Sequence, residues 1–434
     1  MIIAIHNKNI GNQDFDIIKN YKPFNQNIKM KRREVIKNLS VLPVTGVVLG
    51  SAIPFENAAA LTASAPPKRD IFKELGIRTF INAAGTYTAL SGCIMHDEVV
   101  ETIRYSSQKF AAIDECQDAV GKKIAELCHA EAAMVTAGCW SALVLGTAGV
   151  LTGTDPQKVA QLPHLENMKS EVLVQKEHNH GYVHALKNTG ITVVEVETAE
   201  DVAKAVNGKT AMMWFLNYAG PNGKIKDTEW VALGKKYGIP TMIDMAADST
   251  PVENLWKFNE MGFDLVCVSG GKGLRGPQSA GILMGRKEHI AAARLNAPPR
   301  GGNIGRGMKV NKEEIIGMYV ALEKFINRDH QAQWKIWENR IAVMENAAKA
   351  FSGVTTTVTV PPVANINPTL TISWDTNKIK VDCNEFRNRL RKGEPSIEMM
   401  GGKDTLVITA WMLKDGEDKI VAKRIAEELK KASV

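Results

Sequence analysis

A single lysine stands in a glycine-rich segment that directly follows an apolar, strand-like run. Residues 264–281 read DLVCVSGGKGLRGPQSAG, which places Lys272 between glycines on both sides. Small neighbours leave room for a planar ligand, and a desolvated lysine can form a Schiff base with an aldehyde. Ser269, three residues earlier, could donate a hydrogen bond to a phosphate. The alternative is a surface lysine in a flexible turn, and this segment alone leaves both interpretations open.

Two more polar residues stand at the ends of apolar runs. Asp244 ends the run TMI, and a carboxylate there could keep a pyridinium nitrogen protonated, which makes the ring a strong electron sink. Asp244 could instead cap the next helix, and Asp248 competes for its role although it lies further past the strand. Asn217 ends the run MMWFL and could hydrogen-bond the phenolic oxygen of the same cofactor. Asn217, Asp244 and Lys272 are 27 and 28 residues apart, about one strand–helix unit each, so we expect them at one edge of one sheet.

The sequence around residue 138 indicates an anion site. Residues 133–143 read AMVTAGCWSAL, which predicts a strand, a turn of small residues and the start of a helix. Backbone N–H groups at such a helix start, with the Ser141 and Thr136 hydroxyls, would bind a cofactor phosphate. Many strand–helix units carry a similar turn without a ligand, so this motif is weak on its own.

A group of histidines follows the strand-like residues 171–175 in the segment EHNHGYVH. An aromatic ring is needed over the face of the cofactor, and His178 or His180 could supply it while also moving protons. A metal site of His178, His180 and His184 is less favoured, because no further ligands lie nearby in the sequence. Histidines that cap a helix or face solvent are the third alternative.

Apolar, β-rich runs alternate with helix-like segments from about residue 71 onward. This alternation predicts an α/β fold with a mostly parallel seven-stranded sheet and helices on both faces. A break rich in Gly and Arg follows, and then a long helical segment leads into a smaller α+β C-terminal domain. The predicted strands are 133–136, 171–175, 192–196, 211–216, 241–244, 265–268, 281–284, 370–374 and 406–408, and the predicted helices include 201–206, 228–237, 312 to about 350, and a last one around 420–429.

The chain divides into three predicted parts. Residues 1–65 form an N-terminal extension, residues 66–310 a large cofactor-binding domain with an arm over 66–100, and residues 311–434 a linking helix and small domain. The composition, with 44% hydrophobic and 23% charged residues, is that of a globular protein.

Charge and cysteine content exclude several classes of partner. The net charge is +7, but residues 1–65 hold eight Lys/Arg against four Asp/Glu, so the other 369 residues carry only +3. No basic run follows Lys37, and nucleic acid is therefore not an expected partner. The six cysteines are scattered without a C-x-x-C pair, which indicates neither a zinc ribbon nor a disulfide framework.

The N-terminal extension has the layout of an export signal. Residues 30–37 read MKRREVIK, and an apolar stretch over 39–53 and an Ala-rich segment ending at Ala65 follow. The arginine pair resembles a twin-arginine signal, whose pathway exports proteins already folded around their cofactors. We therefore expect a periplasmic protein that meets the membrane only during export; a disordered basic tail on a cytoplasmic protein is the alternative.

These motifs together resemble fold type I pyridoxal phosphate enzymes, which have an aminotransferase-like fold. Their detail is similar to the branch that contains selenocysteine synthase (L-seryl-tRNA selenium transferase) and D-glucosaminate-6-phosphate ammonia-lyase. The similar stretches are INAAGT at 81–86, residues 121–133, VTAG at 135–138, DMAA at 244–247, SGGK at 269–272 with GPQ at 276–278, and GRGMKV at 305–310.

The resemblance implies pyridoxal 5'-phosphate as the cofactor, Lys272 as its Schiff-base lysine, Asp244 as the pyridinium partner and His178 over the ring. It also implies phosphate contacts from Ser269 and from the turn of Gly138, Cys139, Trp140 and Ser141. For a substrate carboxylate or phosphate the candidate is Arg306, with Arg275 and Arg300 as competitors.

The expected reaction is a lyase reaction on an amino acid or amino-sugar acid. Lys272, once released, would remove the α-proton, and the cofactor ring would hold the carbanion while a β-group leaves; ammonia and a keto acid would follow. A transferase or racemase using the same carbanion is the second hypothesis, and an exported, non-catalytic binding protein is the third. A homodimer or higher homo-oligomer is expected, because such sites commonly lie at a subunit interface.

If the export signal is used and cleaved, the mature protein should begin near Pro66. N-terminal sequencing of protein purified from the periplasmic fraction measures this directly. A terminus at Met1 or Met30 in a cytosolic fraction would contradict the prediction.

Overall fold

The computed structural model describes residues 69–434. Residues 69–77 belong to a unit of their own. Its helix α1 (Ile71–Glu74) is capped by the Asp70 carboxylate, which accepts a hydrogen bond from the Lys73 N–H at 3.1 Å. The predicted export signal lies outside the described residues. Within residues 69–434, no helix combines the length and the apolar character needed to cross a bilayer.

Residues 78–434 form the second unit. Its strands are β1 (Ile81–Asn82), β2 (Ala132–Thr136), β3 (Glu171–Gln175), β4 (Thr192–Val196), β5 (Thr210–Leu216), β6 (Thr241–Asp244), β7 (Leu265–Ser269), β8 (Gly281–Gly285), β9 (Val354–Thr359), β10 (Thr369–Trp374), β11 (Ile397–Glu398), β12 (Met400–Gly401) and β13 (Leu406–Thr409). Its α-helices are α2 (Asp97–Ser107), α3 (Ile113–Leu127), α4 (Gly138–Thr152), α5 (Pro156–Gln161), α6 (Val183–Lys187), α7 (Ala199–Ala205), α8 (Asp227–Tyr237), α9 (Asn254–Met261), α10 (Lys287–Leu295), α11 (Lys312–Asn327), α12 (His330–Lys349), α13 (Cys383–Lys392) and α14 (Glu417–Ala432).

A seven-stranded sheet forms the centre of this unit, in the order β2-β8-β7-β6-β5-β3-β4. Strand β8 runs antiparallel to both of its neighbours, and the other pairs are parallel. Strand β5 is buried along its whole length, because a parallel strand covered on both faces must be apolar throughout. Separate hydrophobic clusters cover the two faces of the sheet. The predicted fold class is confirmed, and each predicted strand of this sheet matches to within one residue at either end.

The C-terminal part has a four-stranded antiparallel sheet in the order β12-β13-β10-β9. Helices α12 and α14 pack against each other beside it. Strand β1, near the start of the unit, pairs in parallel with β11, so the segment around residue 81 is joined to the C-terminal part. The domain boundaries given above stay predictions.

The single long helix predicted over 312–350 is wrong. Helix α11 ends at Asn327, and α12 starts anew after Asp329, whose carboxylate caps it by accepting from the Ala332 N–H at 2.9 Å. The sequence Asn-Arg-Asp at 327–329 is compatible with a helix end followed by a new N-cap. The apolar periodicity continues on both sides of it, and so the pattern predicted one helix. The break turns the Arg328 side chain toward a cavity described below.

Gln117 of α3 protects the exposed edge of the sheet at β2. Its side-chain amide donates to the Val135 carbonyl oxygen at 2.7 Å and its oxygen accepts from the Val135 N–H at 3.0 Å. Because β2 is the end strand, these backbone groups have no neighbouring strand to pair with.

Replacing Gln117 by leucine should lower the free energy of unfolding by about 1–3 kcal/mol, because two buried backbone groups lose their partners. Urea unfolding followed by circular dichroism measures the shift of the midpoint. The control Gln157→Leu, at an exposed position of α5, should change stability by less than about 0.5 kcal/mol. Equal midpoints for the two variants would contradict this role of Gln117.

Candidate active site

Lys272 lies in a tight turn directly after β7. The Arg275 N–H donates to the Lys272 carbonyl oxygen at 2.9 Å, and the Gly276 N–H donates to the Gly270 carbonyl oxygen at 2.9 Å. A Cβ on Gly271 would lie 2.5 Å from the Gln278 Cα, so a larger residue there would force the turn open. Gly271 is therefore required by the folding of the turn onto itself, and Gly273 by the close approach of Ser249 and Trp411. Lys272 is left half-buried.

Asp244 ends β6, the strand next to β7, and its carboxylate is buried close to Lys272. The Ala246 N–H donates to Asp244 Oδ1 at 3.0 Å, and the Cys139 thiol donates to the same oxygen at 3.7 Å. Burial raises the pKa of Asp244, and the Ala246 N–H and the positive charge of Lys272 partly offset that rise. The next α-helix begins only at Asn254, so Asp244 does not cap it.

Cys139 is part of this cluster. Its thiol hydrogen-bonds with Cys267 of β7, and this bond, then burial and the charge of Asp244, raise its pKa well above the usual value. The thiol is therefore neutral and acts as a donor that orients the Asp244 carboxylate.

Asp248 is a second buried carboxyl group near Lys272. Its Oδ1 accepts from the Ala364 N–H at 2.6 Å, and its side chain hydrogen-bonds with Asn217. Burial raises the pKa of Asp248 to about 6, against the lowering effect of these bonds and of the Lys272 charge. Asn217, expected to bind a phenolic oxygen, thus already has a partner, and both side chains line a cavity of about 390 Å³.

The predicted phosphate site lies at the same edge of the sheet. Thr136 and Ser269 are both paired in register with Gly281 of β8, so the end of β7 and the start of α4 are separated only by that glycine. No side chain caps the N-terminus of α4 within the described residues. The Thr136 hydroxyl donates to the Gly138 carbonyl oxygen at 2.9 Å.

The Thr136 and Ser141 hydroxyls are less available to bind a phosphate than the backbone N–H groups at the start of α4. The Ser141 hydroxyl donates to the Ala137 carbonyl oxygen at 2.8 Å within the helix. The uncapped N–H groups of the first turn and the helix dipole are left as the anion-binding elements. Trp140 of that turn is 43% exposed.

The placement of His178 does not support the expected position over a cofactor ring. Its side chain is fully buried, and its Nδ1 accepts from the Leu216 N–H at 3.1 Å. The ring packs edge-on against Phe215 at 4.4 Å between centroids, and a Cβ on Gly223 would lie 2.8 Å from its Nε2. Burial first, and then the charges of His180 and Lys226, lower the pKa of His178 to about 4. It is thus a neutral core residue that fixes the end of β5.

His180, the other histidine considered for the ring, is exposed and lies edge-on to Tyr218 at 6.5 Å between centroids. Tyr218 directly follows Asn217. The side chain of His180 is free to face a ligand in a way that His178 is not. Residues 69–434 contain no group of three or more His, Cys, Asp or Glu side chains arranged to hold a metal ion.

Of the three arginines considered for a substrate anion, Arg275 lines a cavity beside Lys272, whereas Arg306 does not. Arg306 is exposed and lines neither of the two cavities described here. Arg300 pairs with Asp114 at 3.2 Å. Arg275 lines a second cavity, of about 310 Å³, together with Gly273. The role expected of Arg306 stays a prediction, since its side chain is exposed and lies outside both cavities.

Sequence reasoning missed the C-terminal side chains that close the second cavity. Arg328, Arg340, Trp337 and Trp411 line it, and all belong to segments taken as linking helix or small domain. Their one sequence signal was the Asn-Arg-Asp break after α11, which also occurs at ordinary helix ends.

Three comparisons with known proteins bear on this site. A family model described as L-seryl-tRNA selenium transferase matches residues 181–351. D-glucosaminate-6-phosphate ammonia lyase of Salmonella typhimurium is 25% identical over 339 residues, which are 76% of this chain and 88% of that protein. A 5'-C-glycyluridine monooxygenase-decarboxylase of Streptomyces is 28% identical over 267 residues, 58% of this chain and 65% of that protein.

The resemblance predicted from the motifs is confirmed. The chain is a relative of D-glucosaminate-6-phosphate ammonia lyase and of the selenium transferases. A solved structure of D-glucosaminate-6-phosphate ammonia-lyase has the same fold, with a TM-score of 0.73 and 23% identity, over 84% of this chain and 99% of that chain.

The raised pKa of Asp248 leads to a prediction on stability. The folded state binds a proton more tightly than the unfolded state, in which the pKa of this Asp is near 3.8. The free energy of unfolding therefore falls as the pH rises from about 4 through 6. The side chain of Asp248→Asn does not titrate, so this variant does not lose stability in that range. Between pH 4 and pH 7 the difference in free energy of unfolding between the variant and wild type should shift by up to about 3 kcal/mol in favour of the variant. Urea unfolding of the cofactor-free proteins across this range measures it, and a constant difference would contradict it.

Proposed function

We propose that this protein is a pyridoxal phosphate-dependent lyase that eliminates ammonia or a β-substituent from an amino acid or amino-sugar acid. One observation carries the proposal: the buried Asp244 ends β6, and Lys272 lies in the turn after the adjacent parallel strand β7, at the sheet edge where the uncapped start of α4 also lies. The relationship to an ammonia lyase over three quarters of the chain supports this reaction class.

The residues present fit this cofactor. Lys272 would hold its aldehyde, Asp244 its pyridine nitrogen, and the first turn of α4 with Ser269 its phosphate. A buried carboxylate whose pKa is raised by burial is favoured by an adjacent cation, which a protonated pyridine nitrogen supplies. When bound, the cofactor supplies an electron sink for the electrons of the α-carbon.

The side chains of the protein would handle the protons. Asp244 would hold a proton at the ring nitrogen, and the Cys139 thiol and the Ala246 N–H keep its carboxylate in position. Lys272 Nζ is the base that would accept the α-proton of the substrate, because it is the only side chain that must already lie within reach of the bound amine. A β-hydroxyl would leave as water, and addition of water to the resulting imine would release ammonia and a keto acid.

A selenium-transferase activity is less well supported. The family model of that name covers residues 181–351 only, and residues 66–434 carry a net charge of just +3. An RNA substrate would call for a basic surface. A small-molecule substrate is therefore the better assignment.

Assembly and location belong to the same proposal. We infer a homodimer, since large apolar side chains such as Tyr105, Phe110 and Trp140 are exposed on the second unit, and light scattering of purified protein tests it.

We also propose export to the periplasm by the twin-arginine route, which rests on the sequence of residues 30–65.

Purified protein should show a visible absorbance band that borohydride removes, and Lys272→Ala should abolish the band and the release of ammonia. Lys187→Ala, at an exposed position of α6, is the matched control and should keep both. Spectra and an ammonia assay on a panel of hydroxy amino acids and amino-sugar acids, including D-glucosaminate 6-phosphate, provide the measurement.

The outcomes separate the competing functions. A colourless wild-type protein that binds no cofactor would refute the proposal and favour a binding protein. A band without ammonia release, accompanied by inversion of the α-carbon, would identify a racemase instead.

A further inference from the structure

The second cavity lies beside the lysine turn and is strongly basic. It runs from Gly273, next to Lys272, to the junction of α11 and α12 and to residues 411–415. Trp411 closes the near end, since a Cβ on Gly273 would lie 3.3 Å from its ring. The walls therefore connect the proposed reaction centre with side chains of the C-terminal part.

Arg275 is held at a fixed place relative to Lys272. Its N–H closes the turn on the Lys272 carbonyl oxygen, and its Nε donates to the Ile94 carbonyl oxygen at 2.9 Å. Its φ of 53° lies in the left-handed region, where residues with a side chain are uncommon and where glycine would be the easier choice. An arginine at such a position points to a use for its side chain.

Arg328 brings a second guanidinium group to the cavity. It lies over the ring of Phe325 at 4.1 Å and near that of Trp337 at 5.6 Å, and its Nε bonds to His330 Nδ1 at 3.3 Å. Burial first, and then the charge of Arg275, lower its pKa to about 10.

Neither Arg275 nor Arg328 forms an ion pair with any residue of 69–434. Asp97 and Glu98 act on Arg275 only through their charges, and Glu98 is paired with Lys324. Arg340, at the far side of the cavity, differs: it pairs with Asp415 at 2.5 Å and donates to the Leu413 carbonyl oxygen at 2.6 Å. Two partly buried cations that repel each other are unfavourable unless an anion joins them.

We propose that Arg275 and Arg328 form a subsite for a second anionic group of the substrate, a phosphate monoester in size and charge, remote from the carbon that loses its amine. Guanidinium groups bind phosphate through paired, charge-assisted hydrogen bonds, and two of them match its double charge. The substrate class is then an amino acid or amino-sugar acid with a terminal phosphate. This inference rests on the proposed function for the substrate, but not for the anion site itself.

Inorganic phosphate titrated into purified protein by calorimetry should bind, and Arg328→Met and Arg275→Met should each weaken that binding by roughly 10- to 100-fold. The matched control is Arg104→Met, an exposed arginine of α2 outside both cavities, which should leave the affinity unchanged. Circular dichroism verifies that each variant is folded.

Kinetics then assign the group within the substrate. With D-glucosaminate 6-phosphate, Arg328→Met should raise KM by a similar factor at little change in kcat; with D-glucosaminate, it should leave KM unchanged. Phosphate binding that both arginine variants leave intact, or an equal rise in KM for the two substrates, would overturn the subsite.

The two proposals fail separately. Protein that shows the visible band but no arginine-dependent phosphate binding would refute the subsite alone. Protein without the band that still binds phosphate through these arginines would refute the lyase and leave the anion site in place.

Discussion

The buried carboxylate of Asp244 sets requirements that much of the surrounding structure meets. A carboxylate removed from water is strongly unfavourable unless hydrogen bonds and an opposite charge replace the lost solvation. Here the Ala246 N–H, the Cys139 thiol and the charge of Lys272 take that place. The Cys139 thiol can reach Asp244 only because α4 starts beside β6. The charge of Lys272 lies close to Asp244 only because the glycine turn follows the adjacent strand. The candidate site is thus a set of mutually dependent positions around one acid.

The sheet topology allows these positions to coincide. Parallel strands β5, β6 and β7 end at one edge, so Asn217, Asp244 and Lys272 meet there although the chain separates them by whole strand–helix units. Strand β8 runs in the opposite direction between β2 and β7, and its first residue, Gly281, separates the start of α4 from Ser269. A side chain at Gly281 would collide with the backbone of Gly138 and Cys139. The uncapped first turn of α4 and the lysine turn are therefore held at close range by one glycine.

The C-terminal part completes the surroundings of the site. Strand β1 pairs with β11, and the turn around Gly85 approaches Trp411, which in turn packs on Gly273. The break between α11 and α12 places Arg328 toward the same cavity. The proposed anion subsite therefore includes a side chain that comes from outside the large sheet.

The sequence by itself determined the strands, their polar end residues and the glycine turn, because these depend on local apolar patterns and on spacing along the chain. It assigned Asp244 and Lys272 to neighbouring strand ends for the same reason. Tertiary structure alone decided that His178 points into the core against Phe215, that Arg306 faces solvent, and that Arg328 approaches Arg275. A side chain's direction and its distant neighbours depend on how helices and sheets pack together, and no local pattern records that packing.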